Sequence, residues 1–161
     1  MQIAYLLIGS NLGNKASYLV QAHLLLEIYC GKIIHKSAYY ETAPWGYLDQ
    51  PAFLNQALAL QTALSPTELM NILLSIEEKM GRVRTIKSGP RIIDLDILLI
   101  GSYIINTPAI TVPHPALPDR RFALIPMAEI APLLVHPILK KTIEELLVVC
   151  TDDSDVQKKI I

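Results

Sequence analysis

A chain of 161 residues is the size of one domain, and with 52% hydrophobic but only 6% aromatic residues its core must be aliphatic. With 14 basic against 15 acidic residues, a net charge of −1 gives no global case for nucleic acid or an anionic membrane as a partner, and any anion binding must come from local clustering. Cys30 and Cys150 are the only 2 cysteines, which excludes a disulfide framework or a Cys-x-x-Cys zinc site and points to a reducing cytoplasm.

The opening apolar run, Ile3–Ile8, has no basic flank and is too short for a signal peptide or membrane span, so it reads as a first strand. "GSNLGNKAS" (Gly9–Ser17) follows and resembles a phosphate-binding loop. However, Gly9 and Gly13 have three residues between them where that motif has four, and Lys15 is followed by Ala16. A glycine turn, with Asn11 or Asn14 starting the next helix, is the simpler reading. Leu19, Ala22, Leu26 and Tyr29 recur at helical spacing over about Ala16–Tyr29, and Gly31 ends that helix. Lys32–Glu41 predicts a second strand and Pro51–Thr62 a third, joined by the loop Thr42–Pro51.

Ser65-Pro66-Thr67-Glu68 is a helix start, with a Ser cap, Pro at the first position and Glu at the capping-box position. Leu69, Ile72, Leu73, Ile76 and Met80 form the buried stripe, and Gly81 stops it. The basic loop Arg82–Pro90 leads into a strand over Ile92–Ile100, and "GSYII" (Gly101–Ile105) reads as a hairpin return. Helices are expected near Phe122–Ala131 and Thr142–Val149, with a loosely ordered tail from about residue 150. The order β-α-β-β-α-β, an extra hairpin and C-terminal helices predict an α+β fold, ferredoxin-like and mostly antiparallel, as one domain over residues 1–161. A doubly wound sheet would need a helix between every pair of strands, and Lys32–Thr62 has none.

Within "GPRIIDLDILLI" (Gly89–Ile100), alternation puts Asp94 and Asp96 on one face and Ile93, Leu95 and Ile97 on the other. Two adjacent unpaired carboxylates on a buried strand cost on the order of several kcal/mol and call for a cation. A solvated edge strand is the competing reading. The neighbourhood favours the first: Arg82, Arg84, Lys87 and Arg91 immediately precede the acids, and Glu77 ends the helix on the same approach. Carboxylates about 7 Å apart can share hard divalent cations such as Mg²⁺. Guanidinium forks grip phosphate oxygens. Together these are the parts of phosphoryl transfer, and a loop bounded by Gly81 and Gly89 could close over a nucleotide. His114, held between prolines in "VPHPALPDRRF", has no second ligand at zinc spacing and suits a phosphate or ribose contact. His23, His35 and His136 read as surface or satisfied histidines.

"KSGPRIIDLDIL" (Lys87–Leu98) resembles the signature of the 6-hydroxymethyl-7,8-dihydropterin pyrophosphokinase family of folate biosynthesis. "IGSNLGNK", "YETAPWGYLDQPAFLNQAL", "SIEEKMGRVR" and "VPHPALPDRRFALIPMAEIAP" resemble its other blocks in the same order. The resemblance implies a monomeric enzyme that transfers diphosphate from ATP to the pterin hydroxymethyl and releases AMP. It implies two Mg²⁺ ions on Asp94 and Asp96, with Arg82 and Arg91 assisting catalysis. Arg84, His114 and Arg120 would hold the triphosphate, Ile97 and Thr111 would line the adenosine site, and Glu77 would lie at its margin. Thr42, Pro44, Trp45 and Asn55 would contact the pterin, with Phe53 and Phe122 stacking on its faces. Ser88 and Pro115 stand where some members carry an aromatic residue. Two other readings are a metal-dependent nucleotidyltransferase, which would release diphosphate, and a non-catalytic ligand-sensing domain.

Overall fold

Alternate side chains of β1 (Gln2–Ser10) face opposite ways, and this divides the interior into two apolar cores. Ala4, Leu6 and Ile8 pack with Leu58 and Leu60 of β4 (Phe53–Thr62) against α1 (Lys15–Tyr29) and α2 (Pro66–Lys79). Leu7 and Ala57 face the other way, against α3 (Arg121–Ile130) and α4 (Ile143–Val149). The computed structural model describes residues 1–84 and 86–160. Thr85 in the basic loop and Ile161 at the end of the tail lie outside the described residues.

The sheet order is β5 (Asp94–Ile100), β1, β4, β3 (Tyr39–Thr42), β8 (Val156–Lys159), with β2 (Lys32–Lys36) also pairing β4. All these pairings are antiparallel. Counting β2 and β3 as one, the order is fourth-first-third-second, the arrangement expected of a ferredoxin-like βαββαβ core. The predicted capping box forms at Ser65 and Glu68, and a second forms at Thr142 and Glu145. Asn14 rather than Asn11 caps α1, accepting from the N–H of Ser17 at 3.2 Å. Among the described residues, no helix is long and apolar enough to cross a membrane.

Three segments differ from expectation. Lys32–Glu41 is two strands, because the chain breaks at Ser37-Ala38. Ser37 keeps hold of β4 there, donating its N–H to Ala57 O and accepting the Ala57 N–H on Oγ, both at 2.9 Å. The Ala38 N–H leaves the sheet for Glu129 of α3. Gly101–Ile105 does not return along β5; β6 (Ile105–Asn106) pairs with β7 (Thr111–Val112) in a separate small sheet, drawn over the core by the buried Ile110 and Val112. The expected loose tail instead contributes β8, which covers the edge of β3. Lys159–Glu41 (3.5 Å) and Lys158–Glu129 (3.7 Å) flank that pairing.

His136 carries a testable consequence. It is 3% exposed, and its Nδ1 accepts the N–H groups of Ile138 (3.2 Å) and Leu139 (3.1 Å). Burial lowers its pKa, and burial also lowers that of His23. A histidine with a depressed folded-state pKa binds its proton more readily when unfolded, so stability falls as pH drops through its ordinary value of about 6.5. Urea unfolding at pH 7.5 and 5.5 should show a lower midpoint at the acid pH. His136→Asn, which keeps an acceptor but cannot titrate there, should reduce that difference.

Candidate active site

Register in the sheet builds the site. Gly9 of β1 pairs with Asn55 on one side and Asp94 on the other, so one row reads Tyr40, Asn55, Gly9, Asp94. The next row of that face reads Ala57, Leu7, Asp96. These residues face the side covered by α3, whereas Ile93, Leu95 and Ile97 are buried on the α1/α2 side, as the alternation predicts.

Asp94 and Asp96 stand between two cavities and line both. The first, ≈480 Å³, is walled by Thr42, Trp45, Phe53, Asn55, Arg120 and Phe122, with Gly9 in its lining. The second, ≈740 Å³ and more open, is lined by Glu77, Arg82, Arg84, Ile97, Thr111 and His114, with the β6–β7 hairpin along one side. The structure thus gathers the predicted pterin residues around one cavity and most of the predicted nucleotide residues around the other. There are two exceptions. Pro44 is half-buried and outside the lining of the first cavity. Arg120, expected with the triphosphate group, lies in the first cavity with its guanidinium 4.6 Å from the Trp45 ring centroid and 5.5 Å from that of Phe122. Arg91 likewise lies 4.6 Å from the Phe53 centroid. Guanidinium stacking on an aromatic face explains both placements.

Charge is paired unevenly across the aspartates. Asp94 accepts from Arg82 Nη1 at 3.0 Å and Arg91 Nη2 at 3.1 Å. Glu77, almost fully buried, binds Arg82 and Arg84 at 2.9 Å each and accepts the Leu95 N–H at 2.8 Å, tying the end of α2 to the start of β5. Burial raises the Glu77 pKa in spite of the Leu95 hydrogen bond and the arginines. Asp96 makes no ion pair with any described residue; burial, followed by the charge of Asp94, pushes its pKa up. His114 Nδ1 accepts the Ala116 N–H at 3.1 Å, which leaves Nε2 as the donor. Burial, with the Arg120 charge, pushes His114 down to about 4, so its ring is neutral at pH 7.

No group of three or more His, Cys, Asp or Glu side chains converges as a metal site among the described residues. The chemistry of the donors nonetheless fits a hard divalent cation: carboxylate oxygens on one strand face, one unpaired, opening into a cavity from which further oxygen ligands could come.

Asn11, read in the sequence as one of two residues that could start α1, instead braces two loops of the site. It is 1% exposed; its Nδ2 donates to Gln50 Oε1 (2.9 Å) and Pro51 O (3.0 Å), and its Oδ1 accepts the Arg91 N–H (2.9 Å). Gln50 in turn donates to Ser88 O at 2.8 Å, so one pair of amides joins the ring-cavity loop to the basic loop. Asn55 Nδ2 donates to Thr42 Oγ1 at 2.8 Å, and a Cβ on Gly9 would sit 2.1 Å from Asn55 Oδ1. No local motif announces these contacts, because each joins segments far apart in sequence.

A ferredoxin-like sheet with a carboxylate pair shared by two cavities is an arrangement suited to bringing two substrates together at one pair of acids. A family model, "7,8-dihydro-6-hydroxymethylpterin-pyrophosphokinase (HPPK)", matches residues 5–132, and the chain belongs to that family. It is 46% identical over 129 residues to the 2-amino-4-hydroxy-6-hydroxymethyldihydropteridine pyrophosphokinase of Bacillus subtilis, covering 80% of this chain and 77% of that protein. The protein of the same name from Aquifex aeolicus is 41% identical over 145 residues, covering 90% of each. Folic acid synthesis protein fol1 of Schizosaccharomyces pombe is 41% identical over 147 residues, which are 91% of this chain but 20% of that protein. The chain therefore spans only about a fifth of the folic acid synthesis protein it matches. Plasmodium falciparum HPPK-DHPS shares the fold at a TM-score of 0.77 and 20% identity, covering 92% of this chain and 43% of that one.

Proposed function

We infer that this chain transfers diphosphate from ATP to the hydroxymethyl group of 6-hydroxymethyl-7,8-dihydropterin, releasing AMP and the pterin diphosphate in folate biosynthesis. The observation that carries this is the aspartate pair common to both cavities. A donor phosphate chain in one and an acceptor alcohol in the other would meet at the carboxylates.

The proposed roles follow from the geometry. Phe53, Trp45 and Phe122 offer apolar faces for a flat ring, while Asn55 and Thr42 meet its edge of donors and acceptors. Stacking requires Arg91 and Arg120 to leave those faces, and phosphate oxygens are the partners that would draw them off. Arg82 would likewise turn from Asp94 to the transferring group, while Arg84 and the neutral His114 bind the phosphate chain from the open side. Ile97 and Thr111 would bound the adenosine, and Glu77 would anchor Arg82 and Arg84. Mg²⁺, as two ions on Asp94 and Asp96, would neutralise the phosphate chain. Positioning and charge neutralisation then carry the chemistry. We propose a monomeric catalytic domain, acting in the cytoplasm, where its free thiols Cys30 and Cys150 would stay reduced.

Product identity tests this reading. With ATP, Mg²⁺ and the pterin alcohol, the chain should give AMP and the pterin diphosphate in equal amounts. ADP would mean a simple kinase, and free diphosphate with a nucleotidyl-pterin would mean a nucleotidyltransferase. No pterin-dependent turnover would leave a binding domain.

A further inference from the structure

The segment after α4 lies beyond residue 132, where the family match ends, yet it spans both walls of the ring cavity. At one wall, Val156 pairs with Thr42, and the Ala43 N–H donates to Asp155 O at 3.3 Å. At the other, Asp152 Oδ2 accepts the N–H of Arg121, the first residue of α3, at 3.0 Å.

Helix α3 needs that acceptor. Its own N-cap residue is Arg120, whose guanidinium has no acceptor with which to cap and is stacked in the ring cavity. Asp152 instead satisfies the first N–H of the helix, that of Arg121, from 31 residues away. Its carboxylate is itself held: Ser154 N–H donates to Oδ1 and Ser154 Oγ to Oδ2, both at 3.0 Å. Burial alone would raise the Asp152 pKa, but the N–H groups of Ser154 and Arg121 outweigh it and keep the carboxyl below its ordinary range. At its C-terminal end, α3 is pinned to β3 by Glu129, which accepts from Ala38 N–H and Tyr40 Oη. The residues flanking the capped N–H are Arg120 and Phe122, both in the cavity wall.

We propose that Asp152 is a positioning residue for the ring substrate: by capping α3 from the C-terminal segment, it holds Phe122 and Arg120 where a flat heterocycle must stack. The proposal rests on the pterin reading above, deepens it, and separates the two substrates energetically.

The test uses the whole chain with Asp152→Ala, Asp152→Asn and Ser154→Ala. Asp152→Ala should raise KM for the pterin about tenfold while KM for MgATP stays within about twofold, the size expected when a cap bond is lost. Amide exchange at Arg121–Leu124 should quicken alongside. Asp152→Asn keeps an acceptor oxygen and should recover most of the loss, with Ser154→Ala intermediate; these milder variants decide the matter if Asp152→Ala does not fold. A pterin KM within twofold of wild type despite faster exchange would overturn the proposal, as would equal changes for both substrates or no rescue by Asn. If the wild type makes no AMP, the pterin-transfer reading fails separately. Titrating Trp45 fluorescence with pterin then decides: weaker binding by Asp152→Ala supports the proposal, and equal or absent binding in both proteins overturns it.

Discussion

Asp96→Asn should abolish AMP formation, by about a thousandfold or more, and yet raise the thermal midpoint. Losing a metal-holding carboxylate removes positioning and charge neutralisation together, a loss on the order of 4 kcal/mol in the barrier. Stability moves the other way because burial and the charge of Asp94 disfavour the Asp96 carboxylate, so the folded protein must take up a proton there or hold the charge at a cost. The sign follows from linkage: a carboxyl whose folded pKa is raised destabilises the fold above its unfolded pKa, and the penalty vanishes below about pH 4. Asp94→Asn should be as inactive but less stable, since it weakens pairing with both Arg82 and Arg91. Melting curves at pH 7 with and without Mg²⁺ distinguish the two; midpoints shifting the same way without metal would contradict this account.

Gly9→Ala should impair pterin use selectively, although no charge and no cavity-filling side chain is removed. The new Cβ would stand 2.1 Å from Asn55 Oδ1, inside any permissible contact. Gly9 lies in β1 with no left-handed backbone to strain, so the cheapest relief is rotation of Asn55 away from Thr42 Oγ1. The ring edge would then lose its amide, raising the pterin KM by about ten- to a hundredfold (1–3 kcal/mol) with little change for ATP. A double-mutant cycle is the sharper check: once Asn55→Ala is in place, Gly9→Ala should add little. Additive losses in the cycle would mean that the glycine serves the sheet rather than the amide.

Some of this was legible in the sequence because local rules transmit directly. Strand alternation puts Asp94 and Asp96 on one face whatever the tertiary context, and Ser65 with Glu68 starts a helix through bonds three residues apart. The break at Ser37 was not legible, because its hydrogen bonds depend on Ala57 of another strand. Nor was β8, whose charged Gln157–Lys159 gains order only from the open edge of β3. Arg120 was legible as a cation beside the site but not as a partner for Trp45, a contact that only folding creates. The glycine-rich turn was legible as a turn, while Gly9 itself is the slot left for Asn55.

The guanidiniums over Phe53, Trp45 and Phe122 bear on the calorimetry of binding. Each of these rings carries a guanidinium against it, although Trp45 remains partly exposed. An incoming heterocycle therefore exchanges one stacking partner for another and dehydrates less fresh apolar surface than bare rings would. The heat-capacity change on pterin binding should accordingly be less negative than three uncovered aromatic faces would produce.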